Sequence, residues 1–209
     1  LSNDYNKILE ELEGNNIDIL QELLEDPLLV NGRKINMRVY FLVICQENEK
    51  KGYIHKDGFI YYTQDTYDKN ILDFNHHITT GYVNREIYEN NPLTHSDLYE
   101  FLEENNVDSL TLKKNVYSLM KNIFHAVKFN LCNKQNIKKG KTFQLFGCDV
   151  APDKDLNCIL IEINKGPDMG FKDSRDGYLK KDVIGSIFNV LNIDDDLKDI
   201  QLKNHFIEL

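Results

Sequence analysis

Apolar and polar positions follow two periods along this chain, and these periods predict both helices and strands. Apolar residues recur every three or four positions over residues 3–13, 111–132 and 176–193, which is the spacing of one helix face. Residues 94–105 begin with N-cap chemistry and predict a further helix. Residues 34–45 alternate at first and then become uniformly apolar, as expected of a strand that is covered on both faces.

Turn residues between these segments predict hairpins. Asn31-Gly32 marks a turn at the start of the long strand. Asp57-Gly58 lies between the two β-prone runs of residues 52–63, which is the pattern of a β-hairpin. Residues 143–168 contain two apolar runs around the polar turn at 152–155 and predict two more strands.

Two stretches have weaker patterns. Residues 17–24 predict a short strand or extended segment, and residues 64–93 lack a period and predict a long loop. Strands and helices therefore alternate irregularly, with hairpins, along a chain long enough to bury a sizeable core. This order predicts an α+β fold with a largely antiparallel sheet packed with helices.

Composition and charge narrow the classes of function. The formal net charge of −9 argues against non-specific binding to nucleic acid, because phosphate contacts need clustered Lys and Arg. The longest apolar run, residues 39–45, is far short of a membrane span. From the charge we expect no nucleic-acid partner, and from the length of this run we expect no membrane partner. The cysteines lie in or beside apolar runs and predict reduced core thiols of an intracellular, cytoplasmic protein. These are Cys45, Cys132, Cys148 and Cys158.

Acidic and amide side chains lie inside the two strands predicted within residues 143–168. Glu162 and Asn164 share a face because the side-chain period of a strand is two, and Asp149 lies on the preceding strand. Their oxygens can therefore converge at one end of the sheet, where they would suit Mg²⁺. The alternative is that all three occupy exposed faces of edge strands. Convergence from two neighbouring apolar strands favours the metal site.

Two cations on the strand at 34–45 fit the same site. If this strand pairs beside the hairpin, Lys34 and Arg38 can meet nucleotide phosphates, Arg as a bidentate donor and Lys as a point charge. A salt bridge at the rim with an acidic neighbour is an equally open alternative. The sequence assigns no partner to His55 or His205.

Three stretches, in this order, resemble the tubulin–tyrosine ligase-like family of ATP-grasp ligases. They are "PLLVNGRKINMRVYFLV" at 27–43, "HHIT" at 76–79 and "FQLFGCDVAPDKDLNCILIEIN" at 143–164. The resemblance implies an ATP-grasp fold and ATP-dependent ligation of a free amino acid to a protein carboxylate, such as the tubulin C-terminal tail. In that reaction the carboxylate attacks the γ-phosphate to give an acyl phosphate, and an amine then displaces phosphate.

The resemblance also implies roles for individual residues. Arg38 would be the catalytic residue, acting on the acyl-phosphate oxygens. The ligands of the Mg²⁺ ions that bridge the ATP phosphates would be Asp149, Glu162 and Asn164. The residues that contact ATP, through its adenine, ribose or phosphates, would be Gln21, Lys34, Asn36, Arg38 and Thr79.

This chain departs from the family at four of the positions compared. Asn36 stands where the family usually has Asp, Thr80 where it usually has Asn, and Tyr61 near a common Arg. Glu22 replaces a residue that is often Lys. The metal ligands match while several nucleotide and acceptor contacts are altered. Two alternatives follow, namely a non-catalytic nucleotide-binding or scaffolding relative, and an ATP-grasp ligase for small molecules or peptides.

The resemblance covers only part of an ATP-grasp enzyme. Such enzymes cover the phosphates with a glycine-rich loop and a lysine upstream of the hinge strand, and only one helix precedes Gln21 here. The chain also begins with Leu1. We therefore expect residues 1–209 to be the C-terminal part of a longer catalytic domain, without its N-terminal lobe, and to bind nucleotide poorly alone.

Overall fold

The computed structural model describes residues 1–14, 17, 19–46, 49–81, 83–131, 140–192 and 204–209. The α-helices are α1 (Tyr5–Glu13), α2 (Phe74–His77), α3 (His95–Glu104), α4 (Ser109–Val127) and α5 (Ser174–Leu191), and a 3₁₀ helix spans Arg85–Glu89. The strands are β1 (Leu29–Val30), β2 (Arg33–Gln46), β3 (Glu49–His55), β4 (Phe59–Thr63), β5 (Thr79–Thr80), β6 (Lys141–Pro152), β7 (Cys158–Lys165) and β8 (Phe206–Glu208).

The long strand β2 is the centre of one curled sheet. Along one edge it pairs with β6, from Met37 opposite Val150 to Gln46 opposite Lys141. Along the other edge it pairs with β4 and then β3, while β7 extends the sheet beyond β6. Every strand pair described is antiparallel. The predicted α+β fold with a largely antiparallel sheet is therefore confirmed.

Alternation along β2 gives the sheet an apolar face and a polar face. Ile35, Met37 and Val39 are buried on the apolar face, as the sequence predicts. Phe41 continues that face and meets Phe124 of α4 edge-on, with ring centroids 6.2 Å apart. We use "polar face" for the opposite side, which carries Lys34, Asn36, Arg38 and Tyr40.

Helix α5 covers part of the polar face. Its apolar stripe, formed by Leu179, Val183, Ile187 and Leu191, is buried. The Lys180 ammonium of this helix lies 5.3 Å from the centre of the Phe59 ring, which neighbours Arg38 in the sheet. The helix therefore brings charged side chains close to the residues of the predicted site.

The predicted hairpin at Asp57-Gly58 is wrong. Strands β3 and β4 follow one another along the same edge of β2, so Asp57 and Gly58 interrupt one line of pairing. A Cβ atom at Gly58 would lie 2.0 Å from the carbonyl oxygen of Arg38, so glycine is needed for a close backbone approach. The Asp57 carboxylate accepts hydrogen bonds from the backbone N–H groups of Gly58 and Ser96. It thus caps local backbone instead of closing a turn between paired strands.

Other predictions differ in their outcome. The helices α1, α3 and α5 and the turn at Asn31-Gly32 are confirmed, whereas α4 ends at Val127, before the predicted end at residue 132. No strand occupies the described residues of 17–24, and the predicted loop at 64–93 contains α2, β5 and the 3₁₀ helix. Short elements of this kind carry too few residues to show a period. Strand β8 was not predicted for the same reason.

The cysteines divide into two groups. Cys45 is disulfide-bonded, so the prediction of a reduced thiol is wrong at this position. Which sulfur atoms approach one another is set by tertiary structure and not by spacing in the sequence. Cys148 and Cys158 are free, and burial raises the pKa of both thiols to about 12. Cys132 lies outside the described residues.

No helix in the described residues is both long and apolar enough to cross a membrane. The cytoplasmic location stays a prediction.

Candidate functional site

The polar face brings most of the predicted site residues into neighbouring rows across the sheet. Arg38 of β2 lies opposite Asp149 of β6, which in turn lies opposite Glu162 of β7. In the next row, Gly147 lies opposite Asn164. Residues that are directly opposite in an antiparallel pair have their side chains on the same face. The three predicted metal ligands are therefore neighbours beside Arg38.

A β-bulge in β7 makes this arrangement possible. The register shifts between Asp149 and Val150, so that Asp149 lies opposite Glu162 and Val150 lies opposite Leu160. Ile161 is the extra residue of the bulge. Because of it, Leu160 faces the apolar side with Val150 while Glu162 faces the polar side with Asp149. Glu162 and Asn164 share a face, as predicted from the strand period.

Arg38 forms a bidentate ion pair with Asp149. Its Nε donates to Oδ1 at 2.6 Å and its Nη2 donates to Oδ2 at 3.0 Å. The guanidinium carbon also lies 5.0 Å from the centre of the Tyr61 ring. A Cβ at Gly147 would lie 2.9 Å from Arg38 Nη1, so the glycine leaves room for this side chain. The alternative of an ion pair for Arg38 is thus observed, and its partner is the predicted metal ligand.

The carboxylates lie close together, and their environments differ. Asp149 is buried, and burial, together with the neighbouring Glu162, raises its pKa above the ordinary value of 3.8 although Arg38 opposes the change. Glu162 is exposed on β7 and accepts a hydrogen bond of 2.6 Å from the Asn164 side-chain nitrogen. This bond uses the amide nitrogen of Asn164, and the amide oxygen is the atom that can bind a cation.

Lys34 is a buried cation on the same face. Only 6% of the residue is exposed, and burial lowers the pKa of its ammonium group. No carboxylate in the described part of the chain forms an ion pair with it. A buried ammonium without a counter-ion is unfavourable, and an anionic ligand would relieve that penalty.

Two further predicted nucleotide contacts lie on the polar face. Asn36 lies opposite Tyr61, and its Oδ1 atom is buried without a hydrogen-bond partner. Thr79 of β5 lies opposite Thr63 of β4, two residues from Tyr61 and so on the same face. An orphaned acceptor and an unpaired ammonium are the features that a polar, anionic ligand such as a nucleotide would satisfy.

Gln21 is not brought together with these residues. It is exposed and lines a cavity of about 940 Å³ whose other walls include α1, Tyr67 and His77. Lys34, Arg38 and the three predicted metal ligands do not line this cavity. The described residues of 17–24 do not join the sheet, which is why Gln21 lies apart from the polar face.

One charged pair near the site was missed from the sequence. Asp176 and Lys180 of α5 are both buried and form an ion pair at 3.1 Å. The i, i+4 spacing of opposite charges on a predicted helix is a signal that could have found them. The spacing does not reveal, however, that this helix lies over the polar face beside Phe59.

This group of side chains offers the kinds of atoms that a metal-bound phosphate would need. Two carboxylates and an amide oxygen offer hard ligands for a divalent cation, while Lys34 and Arg38 offer donors for phosphate oxygens. A sequence profile of the tubulin-tyrosine ligase family matches residues 1–200 of the chain.

The chain belongs to the tubulin-tyrosine ligase family. It is 25% identical over 205 residues to tubulin polyglutamylase TTLL7 of Xenopus tropicalis, covering 88% of this chain and 22% of that protein. It is 28% identical over 173 residues to the inactive polyglycylase TTLL10 of Homo sapiens, covering 71% of this chain and 23% of that protein. It is 28% identical over 164 residues to tubulin glycylase 3B of Drosophila melanogaster, covering 72% of this chain and 21% of that protein. This member of the family thus spans about a fifth of the length of these relatives.

Proposed function

We propose that this chain is part of an ATP- and Mg²⁺-dependent ligase that joins an amino acid to a protein carboxylate. The observation that carries the proposal is that three side chains with oxygen atoms lie beside two cations on one face of the sheet. These side chains are Asp149, Glu162 and Asn164. Lys34 and Arg38 are the cations. Relatives named as polyglutamylases and a glycylase support a reaction that modifies a protein.

The residues present fit the two groups that this reaction needs. Mg²⁺ bound by Asp149, Glu162 and Asn164 would neutralise phosphate charge and so assist transfer of the γ-phosphoryl group. Lys34 would supply a point charge to the phosphates, and the unpaired Oδ1 atom of Asn36 would accept a hydrogen bond from the nucleotide. A cation between the two carboxylates would also remove the repulsion that contributes to the raised pKa of Asp149.

Arg38 would change partner during this reaction. Its guanidinium now occupies both oxygens of Asp149. A metal ion competes for those same oxygens, and a phosphate or acyl-phosphate oxygen is an equally good bidentate partner for Arg. Arg38 would therefore hold the oxygens of the transferred phosphoryl group while Asp149 turns to the metal.

The proposed reaction has two steps. In the first, a carboxylate oxygen of the acceptor attacks the γ-phosphorus of ATP, and ADP leaves. In the second, the amine of the amino acid attacks the acyl carbon, phosphate leaves, and the nitrogen loses a proton as the amide forms. The protein's contribution would be to position the reactants and to stabilise negative charge with Lys34 and Arg38. Residues 1–209 would supply the C-terminal part of the catalytic domain.

A non-catalytic nucleotide-binding relative is the second candidate. Tyr61 stacks against Arg38 near the position where the family commonly has an Arg, so the polar face has one cation fewer there. One relative of comparable identity is named as an inactive polyglycylase, so membership of the family does not by itself establish transfer. On this reading ATP and Mg²⁺ would bind to the polar face, and no amide would form.

Transfer of a radiolabelled amino acid by the full-length protein separates these candidates. The assay supplies Mg-ATP, tubulin as acceptor, and glutamate, glycine or tyrosine in turn. We expect label on the acceptor with the unaltered protein, none with Glu162→Gln, and full transfer with Asp155→Asn, an exposed residue of the β6–β7 turn. Hydroxylamine should intercept the acyl phosphate as a hydroxamate. Mg-ATP binding without label or hydroxamate would establish the non-catalytic candidate, and equal transfer by Glu162→Gln would refute the proposed site.

A further inference from the structure

A second cluster of possible metal ligands lies where β3, α5 and β8 meet. It consists of His55 at the end of β3, Asp182 in α5 and His205 directly before β8. One ligand atom from each residue lies within 4.8 Å of the other two. The cluster is separate from the carboxylates of the polar face and is used by no step of the proposed reaction.

Backbone contacts already fix the positions of these three residues. The Lys56 N–H donates to the His205 carbonyl at 2.9 Å, which ties the residue before β8 to the end of β3. The His205 N–H donates to the Ser186 hydroxyl at 3.3 Å, one turn after Asp182 on α5. The side chains therefore converge because the three elements are hydrogen-bonded to one another around them.

The hydrogen bonds of His55 determine which ring nitrogen is available. Its Nδ1 lies 2.9 Å from the Asp57 carbonyl oxygen, which can only accept a hydrogen bond, so we assign the ring hydrogen to Nδ1. The Asp57 N–H lies farther from the same nitrogen, at 3.3 Å, and is the weaker of the two contacts. In the neutral ring, Nε2 therefore presents a lone pair. A backbone carbonyl that orients a histidine in this way is a common feature of metal sites.

The available nitrogen of His55 faces another acceptor. Its Nε2 is buried, has no hydrogen-bond partner, and lies 3.3 Å from Asp182 Oδ2. A lone pair opposed to a carboxylate in a buried position is unfavourable unless a cation lies between them.

His205 completes the set from the other side of Asp182. Its Nδ1 lies 2.7 Å from Asp182 Oδ2. Ligand atoms about 2.0–2.1 Å from a tetrahedral zinc ion are roughly 3.3 Å apart. The distance of 3.3 Å from His55 Nε2 to Asp182 Oδ2 matches this value, and His205 would move outward from Asp182. The His205 and Asp182 side chains are 20% and 25% exposed, which leaves room for water as a fourth ligand.

We propose that His55, Asp182 and His205 bind a divalent transition-metal ion of the zinc class. Two imidazoles and one carboxylate are ligands that favour zinc over magnesium, which prefers oxygen alone. The ion would join β8 and α5 to the end of β3, and α5 carries the buried Asp176–Lys180 pair beside the polar face. Bound there, the ion would hold that helix in place.

Zinc titration of the full-length protein, stripped with a chelator, tests the proposal. We expect the unaltered protein to bind one Zn²⁺ per chain. In His205→Gln and in Asp182→Asn the affinity for Zn²⁺ should fall more than about 100-fold, because the loss of a metal ligand has a larger effect than the 10- to 100-fold effect of an outer-shell change. His76→Gln is the matched control, because His76 pairs with Asp73 at the same 2.7 Å but has no third ligand among the residues that the structure describes. Glu162→Gln controls for weaker binding at the polar-face carboxylates.

Two further readouts make the result decisive. Zn²⁺ at 100 times its Kd should raise the unfolding midpoint by roughly 5–10 °C in the unaltered protein and His76→Gln, but not in His205→Gln. Co²⁺ should show the visible absorption of a four-coordinate site, which His205→Gln abolishes. Any of three results would overturn the proposal and leave an ordinary Asp182–His205 ion pair. These results are an absence of Zn²⁺ binding, Zn²⁺ binding that is unchanged in His205→Gln, and six-coordinate Co²⁺ that is lost only in Glu162→Gln.

Discussion

Arg38 and Asp149 form two parallel hydrogen bonds across strands β2 and β6, at 2.6 and 3.0 Å. The side chains of the pair are 12% and 11% exposed, so both charges are largely removed from water. Pairing compensates such burial, and removal of one partner leaves the other charge unsatisfied. Asp149 therefore has two tasks, since it neutralises Arg38 in this structure and would bind metal in the proposed reaction.

The first prediction concerns Asp149→Asn. This change leaves Arg38 buried without a counter-charge, so we expect the free energy of unfolding to fall by about 2 kcal/mol and the midpoint by roughly 4–8 °C. Mg²⁺ binding should be lost as well. Thermal unfolding, monitored by circular dichroism, measures the loss of stability, and calorimetric titration with Mg²⁺ measures the loss of metal binding. The exposed Asp155→Asn serves as control, and a stability of Asp149→Asn equal to that control would contradict the importance of the ion pair.

Glu162→Gln should separate metal binding from stability. Glu162 is exposed, does not pair with Arg38 in the structure, and contributes to the raised pKa of Asp149. Glutamine keeps the Oε1 acceptor for the Asn164 side chain and removes the repulsion. We expect Mg²⁺ binding to be lost while the unfolding midpoint of the metal-free protein stays constant or rises by up to about 2 °C. A midpoint that falls as far as in Asp149→Asn would show that Glu162 is structural.

Asn36→Leu tests the orphaned acceptor on the polar face. Asn36 Oδ1 is buried without a partner, and leucine has a similar shape without the polar atom. Removing an unsatisfied polar group is neutral or stabilising, so we expect an unchanged or higher unfolding midpoint. ATP should bind roughly three- to tenfold more weakly in the presence of Mg²⁺, because one neutral hydrogen bond is lost.

The control for this variant is Asn122→Leu, at an exposed position of α4. It should leave ATP affinity unchanged. Weaker ATP binding in both variants would point to a general effect of the substitution. Unchanged binding in Asn36→Leu would place the nucleotide away from this residue.

The polar face could be recognised from the sequence because its signals are local. Alternation over residues 34–38 assigns Lys34, Asn36 and Arg38 to one side of a strand, and the same period places Glu162 with Asn164. These relationships depend on neighbours within a few residues. They remain correct whichever strands pair with β2 and β7.

Contacts between distant residues were beyond the reach of such patterns. Arg38 and Asp149 are 111 residues apart, and only the register of β2 with β6 shows that they are paired. His55 and His205 meet because a three-residue strand returns to the end of β3. The sequence predicts a hairpin at Asp57-Gly58 for a related reason. The dipeptide has the composition of a turn, whereas the close approach of Gly58 to the Arg38 carbonyl oxygen depends on tertiary structure.

The buried ammonium of Lys34 predicts an unusual dependence of stability on pH. Its pKa is lowered in the folded protein from the ordinary value of 10.5. Between the lowered value and 10.5 the unfolded chain binds more protons than the folded one, so the free energy of unfolding should rise with pH across that range. Lys34→Met should remove this rise. It should also stabilise the metal-free protein at neutral pH, by on the order of 1 kcal/mol.

Lys34→Met should weaken the binding of Mg-ATP although it stabilises the metal-free protein. A phosphate paired with Lys34 would favour its charged form, so Lys34→Met should weaken Mg-ATP binding roughly 10- to 100-fold, the effect of losing one charged hydrogen bond. Urea unfolding at several pH values and ATP calorimetry measure the two effects. Lys114→Met, at an exposed position of α4, is the matched control and should change neither. Unaltered ATP affinity in Lys34→Met would mean that this ammonium does not meet the nucleotide, because a buried, unpaired charge beside phosphates cannot be without effect on their binding.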